Sequence, residues 1–268
     1  MNPHLRSALI TGAAAAVASL TVTIPANGQA SKAQVYTPPR LHNGEPDFRG
    51  IWQVRTTTNW NIEGHPGAKG VAPSQSVIVD PADGKIPYQP WALARRQENF
   101  RNRLTADPQT RCYQAGVPRA TLLPSPLQIV QSPGNVAIIY QDVHAYRVIY
   151  MDGRPHFERV DWWMGDSRGR WEGDVLVVDV MDLNDQTWLD MAGNFHSEAM
   201  HVVERYTRTG PDTLRYDATI EDPKVFARPW TMRVVLDRHK EPGFRITEDE
   251  CEEDGRGERH HVRSTQSR

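Results

Sequence analysis

The chain has 268 residues, with 31 Lys and Arg against 33 Asp and Glu, a formal net charge of −2. So small a net charge, with no block of Lys or Arg, argues against nucleic acid as the partner. Beyond the first two dozen residues no segment is apolar and long enough to cross a bilayer as a helix.

The N-terminus carries one Lys or Arg (Arg6), followed by an uncharged run from Ser7 to Ile24. Pro25 ends that run, and Gly28-Gln29-Ala30 places small residues where a signal peptidase reads. A membrane anchor is the alternative, but the small residues of the run and the cleavage site predict a signal peptide over 1–30 and a periplasmic or secreted product. Loss of Arg6 takes the net charge from −2 to −3. Two cysteines remain, Cys112 and Cys251. In an oxidising compartment they are most simply one disulfide, closing a loop of about 140 residues. Two free thiols or a metal site are the alternatives, and the absence of CxxC or Cys/His spacing makes a poor zinc signal.

Residues 31–47 are polar and proline-rich, a linker or an arm lying on the domain. Regular structure is expected to start at Gly50-Ile51-Trp52-Gln53-Val54, with one further strand at Ser76–Val79. Trp91–Leu104 is the clear helix. Pro90 precedes it, and Leu93, Gln97, Phe100 and Leu104 recur at helical spacing with arginines on the other side. After Pro126 the pattern turns to period two and short apolar runs. Strands are predicted at 127–131, 135–141, 145–150, 156–164, 174–181, 199–208, 213–221, 231–236 and 244–248. Asp152-Gly153 predicts a hairpin joining 145–150 to 156–164, and Gly165–Gly173 a longer hairpin loop. Consecutive strands joined by turns predict a single mainly β domain over 48–252, with a flexible polar tail over 253–268. The expected fold is an antiparallel barrel or a sandwich with one helix and long N-terminal loops.

Strand phase singles out Glu204, which shares a face with Met200, Val202 and Tyr206. A carboxylate among apolar neighbours costs several kcal/mol unless paired or protonated. The stretch from His196 to Tyr206 therefore has three readings. His196 and His201, five apart, fit no HExxH metal spacing, so no metal is expected there. A histidine and a desolvated glutamate at a barrel mouth are what proton transfer requires. The plainest reading is a buried ion pair between Glu204 and an arginine of a neighbouring strand. Elsewhere, Asp161-Trp162-Trp163 offers a stacking platform, because the two indoles face opposite ways along a strand. Arg119, held by Pro118, is equally a surface arginine or one placed to hold an anion, and Trp230 is placed to cover a pocket.

Asp47-Phe48-Arg49-Gly50-Ile51-Trp52, the run Gly165–Val178, His196-Ser197-Glu198, Glu204–Arg208 and Asp222-Pro223 with Pro229-Trp230 resemble a large family of exported bacterial β-rich proteins. The resemblance spans residues 47–251 and implies an extracytoplasmic domain with Cys112 paired to Cys251. The chain departs from it after Cys251, where Glu252-Glu253-Asp254 replaces a Gly-Asn turn. Gly50-Ile51-Trp52 is also similar to the start of lipocalin-like (calycin-like) barrels.

Together these readings predict a pocket lined by Trp, Tyr and Met and ringed by His196, His201, Glu204, Arg205 and Arg119. Glu204 or His196 would act as base, and Arg119 or Arg205 would stabilise developing charge. Trp162, Trp163, Tyr206, Trp230 and Asp161 would bind a small, aromatic substrate. The expected function is a cofactor-independent lyase or isomerase. The alternatives are a non-catalytic small-molecule-binding protein and a metal-assisted hydrolase using His196, His201 and a carboxylate.

Overall fold

A computed structural model describes residues 36–68, 70–142, 145–157, 160–248 and 251. The expected signal peptide, the first residues of the expected arm and the expected polar tail lie outside the described residues. The strands are β1 (Gly50–Val54), β2 (Gly64–His65), β3 (Ser74–Gln75), β4 (Ile78–Asp80), β5 (Leu127–Ser132) and β6 (Asn135–Tyr140). They continue as β7 (Tyr146–Tyr150), β8 (Asp166–Glu172), β9 (Val175–Met181), β10 (His201–Gly210), β11 (Thr213–Glu221) and β12 (Trp230–Arg238). Between β4 and β5 lie the helix α1 (Pro90–Ala106), one 3-10 turn (Pro108–Arg111) and the short helix α2 (Arg119–Leu122).

Nine of the strands close a barrel in the order β1-β5-β6-β7-β8-β9-β10-β11-β12, with β1 paired back to β12. One edge of β12 is shared: β4 takes Thr231 and Met232, and β1 takes Leu236, Asp237 and Arg238. Alternation along each strand fills the interior with Trp52, Ile129, Ile138, Ile149, Val178, Tyr206, Tyr216 and Met232. The Gly-x-Trp start has a structural reason. The Arg238 guanidinium packs over the Trp52 ring at 4.5 Å. A Cβ on Gly50, at φ +143°, would stand 2.8 Å from Arg238 Nη1, so only glycine leaves the arginine that space. The arm lies on the barrel, with Arg208 reaching Tyr36 Oη at 3.3 Å and Arg40 paired to Asp174.

Four expectations need correction. β7 and β8 pair in parallel, Ile149 with Ser167 and Tyr150 with Arg168. The hairpin expected at Asp152-Gly153 therefore does not form; among the described residues the crossover between β7 and β8 holds no strand, and its one isolated bridge joins Trp162 to Leu183. β8 takes the place beside β7 because Gly169 has no side chain where Ile149 packs: a Cβ there would lie 2.6 Å from Ile149 Cγ2. The expected Gly165–Gly173 loop is thus itself a strand, and only Gly173-Asp174 turns the chain into β9. No strand forms at 244–248, since both edges of β12 are already occupied.

The helix is where expected, but its apolar stripe faces outward. Leu93, Phe100 and Leu104 are exposed, while Ala92 and Asn99 are buried. The surface beneath α1 is a polar loop. Asn99 Nδ2 donates to the Gly193 carbonyl at 3.2 Å and Arg96 Nε to Asn194 Oδ1 at 3.2 Å, so small and polar residues make the contact.

Candidate functional site: a histidine and carboxylate face outside the barrel

Glu204 points into the barrel, as its phase requires, and Arg147 of β7 meets it there. Arg147 Nη1 lies 2.7 Å from Glu204 Oε2, and Nη2 donates to Glu204 Oε1 at 2.9 Å and to Tyr206 Oη at 2.8 Å. Tyr216 Oη and Tyr206 Oη donate to the same Oε1 at 2.7 and 3.1 Å. Burial, and then the Glu204 charge, push both tyrosines well above their ordinary range, so they remain donors. Burial alone would lower Arg147, but Glu204 together with Tyr140 and Tyr206 outweighs that and holds it well above its usual value. This is the buried ion pair, closed on all sides. Two surface clefts, of about 200 and 300 Å³, involve neither partner; they are lined around Asp222 and Phe226, and around Arg40 and Gln131.

The other residues expected to ring a pocket are dispersed. Arg119 is spent on a bidentate pair with Asp107, both bonds 2.7 Å, and both side chains are buried. It fastens α2 to the end of α1 rather than offering itself to an anion. His196 is buried; its Nδ1 donates to the Ser197 carbonyl at 2.9 Å and its Nε2 accepts from Thr187 Oγ1 at 2.7 Å. Burial lowers its pKa, and both nitrogens are engaged, so it is a neutral core histidine. Arg205 pairs with Glu172 at 2.9 Å on the surface. Tyr206 belongs to the interior network, and Trp230 is packed in the core against Phe226. Trp163 stacks on Tyr113 at 4.8 Å. Trp162, Asp161 and His201 are open to solvent without being drawn into any of these contacts.

His201 leads to a different site. Residues that alternate outward on β8, β9 and β10 bring Asp166, Arg168, Asp179 and His201 to one face, and the crossover lays His156 over it. His201 Nε2 sits 2.6 Å from Asp179 Oδ1, and His156 Nε2 lies 3.6 Å from the same oxygen. His156 Nδ1 meets Asp166 Oδ2 at 2.9 Å, an oxygen also held by Arg168 Nε at 2.9 Å and the Phe157 amide at 3.2 Å. Asp182 follows β9 in a left-handed conformation, φ 57°. Burial raises its pKa, helped by the nearby charges of Asp166 and Asp161 and opposed by His156. Exposed Phe157 and Trp162, ring centroids 6.5 Å apart, form an apolar wall beside His156.

A carboxylate that fixes one imidazole nitrogen leaves the other as a poised base. Asp179 does this for His201, whose Nδ1 makes no hydrogen bond among the described residues. Sequence reading missed His156, Asp166, Asp179 and Asp182. Reading 166–172 as a strand would have placed Asp166, Arg168, Arg170 and Glu172 on one face, next to Asp179. His156 and Asp182 carry no such signal, since one lies in a crossover and the other just past the end of β9.

No protein-family model matches this chain, and no curated protein matches it.

Proposed function

We propose that the chain is an exported enzyme that moves a proton on a small, aromatic molecule at this outer face, as a lyase or isomerase does. The observation that carries the reading is the His201–Asp179 contact with the second imidazole nitrogen open. His201 serves as the general base, Asp179 fixes its tautomer and orientation, and the Phe157–Trp162 wall offers a stacking surface for the substrate. The one disulfide and the absence, among the described residues, of a helix long and apolar enough to cross a membrane are compatible with export.

The test is solvent deuterium exchange, followed by NMR, into a panel of phenols and aryl ketones with acidic C–H bonds. Wild type is expected to label a subset of the panel, and His201→Asn to lose about 100-fold or more of that rate with its melting temperature kept. Equal rates for both proteins would overturn the reading. Binding without exchange, unaffected by the substitution, would instead favour a non-catalytic binding protein. N-terminal sequencing of protein recovered outside the cytoplasm is expected to begin at Ser31; an intact Met1 would overturn export.

A further inference from the structure

We infer that His156, Asp166 and Asp182 form a binding site for a divalent first-row transition metal, of which Zn²⁺ and Mn²⁺ are the probes of choice. One ligand atom from each of the three lies within 4.8 Å of the other two, the spacing of donors around a single cation. They come from three separate segments, the crossover, the start of β8 and the residue after β9, so local sequence does not account for their meeting.

Three further observations point the same way. Asp182 Oδ2 is shut off from solvent and accepts no hydrogen bond among the described residues. An anionic oxygen in that position costs free energy unless a cation or donor meets it. His156 stands between two carboxylates, Nδ1 at 2.9 Å from Asp166 and Nε2 at 3.6 Å from Asp179. A neutral imidazole has one N–H, so one nitrogen turns its lone pair toward an anion. A metal on that lone pair removes the conflict, and the remaining carboxylate then orients the ring as an outer partner. Finally, the face carries Asp161, Asp166, Asp179 and Asp182, while Arg168 is the cation paired into it, through Asp166. Arg168 binds Oδ2 of Asp166 and leaves Oδ1 to the metal. One nitrogen and two carboxylate oxygens suit zinc or manganese, and three protein ligands leave at least one coordination position to water.

The site is on the same face as the proposed proton transfer but does not depend on it. The experiment uses the untagged chain, stripped with chelator and titrated calorimetrically with Zn²⁺ and, separately, Mn²⁺. One equivalent is expected to bind, with a rise in melting temperature. Asp182→Asn and His156→Ala are each expected to weaken affinity by at least about tenfold. Asparagine tolerates the left-handed backbone at 182, so Asp182→Asn is expected to melt with the wild type when metal is absent. Glu198→Gln, in the exposed pair with Lys224, is expected to bind as wild type does. No stoichiometric binding, or equal affinity in wild type, Asp182→Asn and His156→Ala, would overturn the site. Either result leaves the His201-dependent exchange to stand or fall by its own measurement.

Discussion

Arg147 and Glu204 face each other across the interior of the closed barrel, 2.7 Å apart, with 2 % and 0 % of their side chains exposed. Removing one charge strands the other in a region that water does not reach. Glu204→Gln is therefore expected to lower stability by roughly 3–5 kcal/mol. Replacing both residues with apolar ones of similar volume is expected to cost much less. Melting curves of the single and double variants decide it. A single variant that melts with the wild type and loses turnover would return Glu204 to catalysis.

Asp190 is buried in the loop under α1, where it accepts from the amides of Ile62 and Ala192 at 2.9 Å and from Asn194 Nδ2 at 2.6 Å. Burial raises its pKa to about 6 from 3.8, against the pull of those donors. A raised carboxyl favours the folded state while protonated. Its contribution is complete below pH 4 and is lost as pH climbs through about 6. The loss is about 3 kcal/mol by linkage. Urea titrations of wild type and Asp190→Asn at pH 4 and pH 7 measure it. The stability of wild type relative to the variant is expected to fall by about that amount, and a flat difference would refute the assignment.

Cys112 and Cys251 are joined, with their Cα atoms 5.5 Å apart and 139 residues of separation. Closing so long a loop restricts the unfolded chain by about 5 kcal/mol in the chain-entropy model. The double substitution Cys112→Ser, Cys251→Ser is expected to shift the denaturant midpoint down accordingly. Two thiols that alkylate freely in the folded wild type would show the link to be wrong.

Gly169 is the point where β8 passes over Ile149 and Met151. Gly169→Ala is expected to cost about 1–3 kcal/mol, because both side chains must leave their rotamers to admit a methyl group. An unchanged melting temperature would mean that the β7–β8 pairing is looser than its geometry indicates.

The barrel was legible because alternation is a local signal. Met200, Val202, Glu204 and Tyr206 declare an inward face from their spacing alone, and β5, β6, β9, β10, β11 and β12 fall within two residues of their expected starts. The β7–β8 step was not legible. An Asp-Gly turn after a strand predicts a hairpin, and nothing nearby announces that Gly169, sixteen residues on, packs better there. The same limit hid the outer face. The identity of Arg147 as the partner of Glu204 depends on which strands adjoin, and Asp166, Asp182 and His156 meet only because a crossover folds back over β8 and β9. Helical spacing pointed to a helix at 91–104, but the polar surface beneath it decided which side would be covered.

The sharing of one edge of β12 between β4 and β1 has a consequence in time. Val54 has its partner in Leu236, near the end of the chain. During synthesis the first strand of the barrel emerges and then waits for the last. At ordinary elongation rates that wait is on the order of ten seconds or more. Through that interval the hydrogen-bonding groups of β1 and the face of Trp52 have no cover from β12. The molecule is most open to self-association before β12 is made, and a ribosome stalled before Trp230 would release a chain that cannot close.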